Sequence, residues 1–136
     1  MSKNIVLDKS FDFAVDIVKL YLRLKNEKEY ILSNQLVRSA TSIGANITEA
    51  QYAESKKDFI SKMNISLKEA NESEYWLKLL TKAEIIDCEE FKLYYQACSE
   101  IKSILINIVK SSRESLSVNV KCRINVIICL SKLLKF

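Results

Sequence analysis

The pattern of apolar residues along the chain predicts four amphipathic helices within the first 115 residues. The first predicted helix runs from about Asp8 or Ser10 to Lys25 and is apolar on two sides. One side carries Phe11, Ala14, Val15, Val18, Tyr21 and Leu22, and the other carries Phe13, Ile17, Leu20 and Leu24. A helix of this kind must bury both sides, so in a small bundle one of them is expected to contact another subunit.

Capping residues and polar links mark the other three helices. A charged linker at residues 26–30 precedes a second predicted helix from near Ser33 to about Tyr52. The sequences Ser55-Lys56-Lys57-Asp58 and Asp87-Cys88-Glu89-Glu90 have the spacing of N-terminal caps and predict the starts of the third and fourth helices. Four long helices with short links predict an all-α fold, an antiparallel up-down four-helix bundle.

The sequence changes character after Ser115, where the fourth helical pattern fades. Leu116, Val118, Val120, Cys122, Ile124 and Val126 alternate with polar residues, which is the period of a strand. We therefore divide the chain into a bundle domain, residues 1–115, and a basic C-terminal extension, residues 116–136. Three interpretations of the extension stay open: a poorly ordered appendage without a dedicated role, a strand pairing between subunits, and a cationic amphipathic segment on a membrane or nucleic acid.

The composition supports a helical fold, and the charge gives little support to binding of a polyanion by residues 1–115. The chain has one glycine and no proline, so the turn residues that sheets need are missing. Residues 1–115 hold 17 basic and 17 acidic side chains, and the net charge of +4 comes from Lys121, Arg123, Lys132 and Lys135. A neutral body gives no general argument for binding a polyanion, although a basic stripe on one face is compatible with it.

Several residue types that enzymes and metal sites use are absent or poorly spaced. The chain has no histidine, so the usual acid and base at neutral pH is missing and we expect no enzyme. The Ser-x-x-Lys spacing of Ser99 and Lys102 is interpreted as chance recurrence on an amphipathic helix. The cysteines lack a CxxC spacing and are expected to be reduced and mostly buried, with no metal or cofactor: Cys88, Cys98, Cys122 and Cys129. Without an apolar run long enough to span a bilayer, the protein is expected to be cytoplasmic.

The one glycine, Gly44, lies in phase with a helical apolar stripe, so we expect the helix to continue through it and a neighbouring backbone to approach closely. The apolar stripe consists of Leu36, Ala40, Ile43, Ile47 and Ala50. Beside it on the helix runs a polar line of Gln35, Ser39, Ser42, Asn46 and Glu49, and Arg38 lies one step further round the helix. We interpret this line as a packing surface in which Arg38 and Glu49 find partners such as Glu72 or Glu74. The alternative is a polar recognition face.

The same stretch resembles the four-helix bundle family of 23S ribosomal RNA intervening-sequence proteins. The family pattern is approximately Q-x-x-R-(S/A)-x-x-S-(I/V)-(P/G)-x-N-I-x-E-(G/A), followed by a Ser-Lys-Lys-(E/D)-Phe run and a later Glu-x-Glu. The matching positions here are Gln35, Arg38, Ser42, Asn46, Glu49, the run 55–59, Glu72 and Glu74. Gly44 stands where the family often has proline, and Ala50 where it often has glycine. The resemblance covers about residues 5–115 and does not extend to the basic extension.

The resemblance implies a short bundle that assembles as a homopentamer. The family includes reading frames inside ribosomal RNA intervening sequences and is related to the accessory protein of diversity-generating retroelements, which is similar to a module that binds nucleic acid and a reverse transcriptase. We therefore expect a non-enzymatic oligomer with RNA or a reverse transcriptase as partner and no small-molecule substrate. Candidate phosphate contacts near the helix ends are Arg23, Lys28, Lys56, Lys57 and Lys62. The alternative is a structural or protein–protein interaction module without a nucleic-acid role.

Overall fold

A computed structural model describes residues 4–133 and consists of four helices that run up and down in series. They are α1 (Ile5–Asn26), α2 (Ile31–Ala50), α3 (Lys56–Lys82) and α4 (Cys88–Leu133). Each helix packs against the next, and α1 closes the bundle against α4. The predicted all-α four-helix bundle is confirmed, and residues 4–133 include no strand.

The predicted starts of α3 and α4 are confirmed by side-chain caps. The Ser55 hydroxyl accepts a hydrogen bond from the Asp58 N–H at 3.1 Å, and the Asp87 carboxylate accepts one from the Glu90 N–H at 2.9 Å. These contacts satisfy N–H groups that have no partner inside the first turn of a helix. The caps thus fix where the bundle turns from α2 into α3 and from α3 into α4.

The helix α2 begins two residues before its predicted start because Glu29 caps it. The Glu29 carboxylate accepts hydrogen bonds from the N–H groups of Leu32 and Ser33 at 2.8 and 3.0 Å. A carboxylate at this position also interacts favourably with the positive end of the helix dipole. The preceding residue Lys28 has a φ of 66°, the left-handed conformation in which helices commonly end. The charged linker is therefore a tight turn.

The core of the bundle lies between the four helices and takes one of the two apolar sides of α1. The buried side of α1 is Val6, Ser10, Phe13, Ile17, Leu20 and Leu24. The opposite apolar side stays exposed, with Phe11 at 68%, Leu22 at 54%, and Val15 and Val18 at 37%. We call these four residues the α1 stripe. The single chain therefore leaves an aliphatic and aromatic surface in contact with solvent.

Gly44 lies in a continuous α2 helix at its crossing with α1. A Cβ atom at Gly44 would lie 3.2 Å from the Ser10 Oγ, closer than side-chain carbons ordinarily come to a neighbouring atom. Ser10 is fully buried and its hydroxyl donates to the Leu7 carbonyl at 2.9 Å. The predicted close approach at Gly44 is confirmed, and the neighbour is α1.

The helix α4 continues through most of the basic extension, so the strand interpretation of this segment is wrong. Residues 117–132 are helical with exposed side chains, and we call residues 116–133 the α4 extension. Lys135 and its neighbours 134 and 136 lie outside the described residues. The expectation of mostly buried cysteines is also wrong, because Cys98 is buried whereas the other three are exposed: Cys88, Cys122 and Cys129. No helix in the described part of the chain is both long and apolar enough to cross a bilayer.

Candidate functional site

The polar line along α2 packs closely against α3 through small hydroxyl side chains. The hydroxyl groups of Ser39 and Ser73 share a hydrogen bond of 2.9 Å, and the Ser66 hydroxyl donates to the Ile43 carbonyl at 2.6 Å. All three serines are buried. Because serine adds little volume, the two helices come close at this level while every buried hydroxyl keeps a partner. This part of the line is a packing surface.

Arg38 lies at the exposed edge of the α2–α3 contact. Its guanidinium is 3.7 Å from the Glu72 carboxylate and 3.4 Å from the Gln35 side-chain oxygen, to which it donates. The Trp76 indole N–H donates to the same Glu72 carboxylate at 3.2 Å. Glu69 lies nearby, and desolvation together with the Glu72 charge raises its pKa. The structure therefore assigns Arg38 a partner in Glu72, one of the two that the sequence suggested.

The other end of the polar line is joined to α3 by an ion pair. The Glu49 carboxylate is 2.6 Å from the Lys62 Nζ, and this hydrogen bond raises the pKa of Lys62. Asn46 turns back onto its own helix, where its amide donates to the Ser42 carbonyl at 2.8 Å. Lys62, a candidate phosphate contact, is thus held by a carboxylate in the single chain.

Glu74 is a buried carboxylate that bridges α3 and α4. It is 6% exposed and accepts hydrogen bonds from the Lys102 Nζ at 2.7 Å and from the Ser99 hydroxyl at 3.1 Å. The hydrogen bond to Glu74 is the main cause that raises the pKa of Lys102. Burial raises the pKa of the adjacent Cys98 thiol to about 12, which leaves it protonated and unreactive.

The Ser99-x-x-Lys102 spacing has a physical meaning that sequence reasoning missed. Residues three apart share one face of a helix, and on α4 this face meets Glu74. The sequence contained the information for this pairing, because a carboxylate on the buried side of α3 needs a cation from a facing helix. The sequence instead suggested Arg38 as one partner of the α3 carboxylates, and Arg38 contacts Glu72.

The five candidate phosphate contacts fall into two groups at opposite ends of the bundle. Arg23 and Lys28 lie where α1 turns into α2, and the Arg23 guanidinium contacts both Glu27 and Glu90. Lys56 and Lys57 open α3 at the other end, and Lys62 lies less than two turns further along. The candidates therefore do not form one continuous site.

At the end that holds Lys56, the bundle carries further cations that the sequence analysis did not single out. The Lys56 Nζ contacts the Ser115 hydroxyl, which brings the first turn of α3 against α4. Lys110 and Arg113 line the neighbouring groove between α3 and α4 together with Asn64 and Glu114. The spacing of three residues between Lys110 and Arg113 in the fourth predicted helix could have shown that both lie on one face. We call Lys56, Lys57, Lys110 and Arg113 the basic end. Acidic residues beside it are Glu54, Asp58 and Glu114.

The chemistry of these groups is that of anion contact and ion pairing. Four cations at one end of the bundle favour a ligand with several negative charges, and the dipole of α3 adds to the field of Lys56 and Lys57 in its first turn. Within residues 4–133, no group of three or more histidine, cysteine, aspartate or glutamate side chains is placed to hold a metal ion.

Comparisons with known proteins agree on the family. A family model described as 23S rRNA-intervening sequence protein matches residues 2–107. A crystal structure of a protein with unknown function from the S23 ribosomal protein family of Bacteroides thetaiotaomicron VPI-5482 has 54% sequence identity and a TM-score of 0.76. The match covers 77% of this chain and 98% of that chain. No curated protein matches the chain.

Proposed function

Since the chain belongs to the 23S rRNA-intervening sequence protein family, we propose that it is a non-catalytic, oligomeric bundle that binds RNA or a ribonucleoprotein partner such as a reverse transcriptase. The observation that carries the RNA proposal is the basic end, where Lys56 and Lys57 open α3 at the level of Ser115 and Lys110 and Arg113 line the adjacent groove. The absence of histidine from the sequence and the pairing of Glu49, Glu72 and Glu74 with cations support a non-catalytic role.

The proposal uses the basic end in preference to Arg23 and Lys62. Lys57 and Arg113 are exposed, and Lys56 contacts only a neutral serine hydroxyl among its described partners. Arg23 and Lys62 each contact a carboxylate, so binding a phosphate there would require breaking an ion pair. RNA phosphates are therefore expected to contact the basic end first.

The α1 stripe supports self-association, which we propose to be the homopentamer implied by the family. Phe11, Val15, Val18 and Leu22 follow steps of four, three and four and line one side of α1. Next to them, the small residues Thr41, Gly44, Ala45 and Thr48 of α2 leave an apolar groove along α1. A helix of a second copy would remove this surface from water.

Filter-binding titrations at two salt concentrations test the RNA proposal, with a labelled fragment of 23S ribosomal RNA as probe. The double variant Lys56→Glu/Lys57→Glu is expected to bind more weakly and to lose roughly 1.4 to 1.8 from the slope of log affinity against log salt, because about two phosphate contacts disappear. Glutamate at the start of a helix favours folding, so a loss of binding would not reflect unfolding.

The matched control is Lys19→Glu/Lys68→Glu, which makes the same change of net charge at exposed positions outside the basic end. We expect it to retain the wild-type slope. Equal losses in both double variants, or no RNA affinity of the wild type at low salt, would contradict the proposed contacts.

Light scattering after size exclusion tests self-association. We expect a mass of five 15.7 kDa chains for the wild type, and smaller species for Phe11→Ser/Val18→Ser, which makes the α1 stripe polar. A wild-type monomer at micromolar concentration would refute the oligomer. If the oligomer forms but RNA does not bind, the neutral charge of residues 1–115 favours the second candidate function, a protein–protein interaction module.

A further inference from the structure

The α4 extension is a regular helix that the rest of the bundle leaves uncovered. The contact between Lys56 and Ser115 marks the level at which α3 begins, and beyond it the side chains of residues 117–132 are exposed. With a rise of 1.5 Å per residue, residues 116–133 reach about 27 Å past this level. The family match ends at residue 107, so the extension lies outside the part of the chain that the family describes.

Aliphatic residues cover most of the circumference of the extension. Its described aliphatic side chains beyond Leu116 are between 47% and 64% exposed: Val118, Val120, Ile124, Val126, Ile127, Ile128 and Leu130. Ser117, Lys121, Asn125 and Lys132 follow steps of four, four and seven along one narrow side, which they share with Ile128. Exposed aliphatic surface of this extent usually marks a binding site, because leaving it in water is unfavourable.

The charge of the extension decides between the partners that could cover it. Its described cations are Lys121, Arg123 and Lys132, and residues 116–136 contain no acidic residue. A second copy of the extension would bring like charges together, whereas an anionic surface complements them. RNA would engage the three cations but would leave the aliphatic side chains in water. An anionic lipid bilayer satisfies both features, since lipid chains cover the aliphatic residues and headgroup phosphates contact the cations.

We propose that the α4 extension binds the surface of an anionic lipid bilayer and lies in the plane of the headgroups. Lys121 and Lys132 face the aqueous side, while Val120 and Ile127 enter the boundary with the acyl chains. Arg123 lies among the aliphatic residues, and its long side chain reaches back to the headgroup phosphates. The bundle is thereby held next to the membrane and keeps its own surfaces accessible.

Vesicle flotation tests the proposal, because bound protein floats with the lipid while aggregated protein sinks. The full chain is expected to float with vesicles of phosphatidylglycerol and phosphatidylcholine in equal parts and to stay at the bottom with phosphatidylcholine alone. Lys121→Glu/Arg123→Glu is expected to lower binding about a hundredfold or more, since each cation near an anionic surface contributes several-fold. Val120→Asn/Ile127→Asn, which keeps the charge, is expected to lower binding about tenfold or more.

The control Lys19→Glu/Lys68→Glu makes the same charge change on the bundle and is expected to float like the wild type. Wild-type protein that floats equally with neutral vesicles, or an aliphatic double variant that floats like the wild type, would overturn the proposal. A wild type that fails to float at all, while the aliphatic double variant has a lower mass in solution than the wild type, would assign the extension to contacts between copies. That result would also overturn the membrane proposal.

A fluorescent label reports which side of the extension enters the lipid. In a background with the exposed cysteines Cys88, Cys122 and Cys129 replaced by serine, an environment-sensitive dye is placed at Ile127→Cys or at Asn125→Cys. Buried Cys98 stays unlabelled in the folded protein. The dye at residue 127 is expected to shift to the blue with anionic vesicles, and the dye at residue 125 is not. Equal shifts at both positions would contradict the proposed orientation.

The membrane proposal and the RNA proposal fail independently. Lys56→Glu/Lys57→Glu is expected to weaken RNA binding while it floats with vesicles, and Val120→Asn/Ile127→Asn is expected to show the reverse. Binding of RNA without flotation overturns only the membrane proposal. Flotation without RNA binding overturns only the proposed RNA contacts.

Discussion

Replacing Lys102 by methionine is expected to destabilise the bundle, because it leaves the Glu74 carboxylate buried without a cation. Glu74 is 6% exposed, and its two side-chain partners are the Lys102 Nζ at 2.7 Å and the Ser99 hydroxyl at 3.1 Å. Methionine keeps much of the length and apolar contact of the lysine stem. The substitution therefore isolates the loss of the charge.

The expected cost of Lys102→Met is about 2 to 3 kcal/mol. Removing one partner of a fully buried ion pair costs about 3 to 5 kcal/mol. The Lys102 side chain is 27% exposed, so water can reach the carboxylate after the substitution and lowers the cost. Replacing both residues, in Glu74→Met/Lys102→Met, removes the stranded charge and is expected to lie within about 1 kcal/mol of the wild type.

Urea denaturation at one fixed protein concentration measures both variants, with the slope of free energy against urea as a check that the unfolded state is unchanged. The wild-type advantage over Lys102→Met is fully present below the unfolded pKa of 10.5 and is lost as pH rises through the raised pKa of folded Lys102. A single variant as stable as the wild type, or a double variant as unstable as the single one, would show that an unpaired Glu74 charge does not destabilise the bundle.

Three further predictions address the close contact, the buried thiol and the α2 cap. In a Ser10→Ala background, Gly44→Ala is expected to raise the free energy of unfolding by up to about 1 kcal/mol. With Ser10 present, the gain is expected to be smaller by at least about 0.5 kcal/mol, because the new methyl group meets the Ser10 hydroxyl; thermal unfolding of the four proteins of a double-mutant cycle measures the difference. A thiol reagent at pH 8 is expected to label three cysteines rapidly and Cys98 only after unfolding; labelling of four in the folded protein would disagree. Glu29→Ala is expected to cost about 1 kcal/mol, and an unchanged melting temperature would argue against the cap.

The fold was largely predictable because the signals for helices are local. The caps at Ser55 and Asp87 are spacings within four residues, and the structure places them as predicted. The choice between the two apolar sides of α1 was not predictable, since periodicity reports that a side is apolar and does not report what covers it. In the single chain, Phe13 and Ile17 face the core and Phe11 is exposed.

The α4 extension shows how local patterning can mislead. Alternating β-branched residues favour a strand when they are considered alone. Here they follow a helix that already exists, and adding residues to a helix avoids the unfavourable nucleation step. The sequence between Ser115 and Leu133 contains neither glycine nor proline to end the helix. Continuity with α4 therefore outweighs the strand preference.

The ion pairs were predictable only in part because they depend on how far one helix is shifted along another. The sequence offered Glu72 or Glu74 as partners on α3, and Arg38 contacts Glu72, since α2 and α3 are neighbours in sequence and joined by a short turn. Lys102 was missed as the partner of Glu74 because the register of α4 against α3 depends on the whole core. The basic end has the same origin, since Lys56 and Arg113 come to the same end of the molecule only when the bundle has formed.

Native mass spectrometry of the protein mixed with a 23S ribosomal RNA fragment counts chains and RNA in one complex and so tests self-association and RNA binding together. We expect a species of five 15.7 kDa chains with RNA bound, and loss of the RNA but not of the oligomer in Lys56→Glu/Lys57→Glu. Single chains without RNA at low ionic strength would contradict both the oligomer and the RNA contacts.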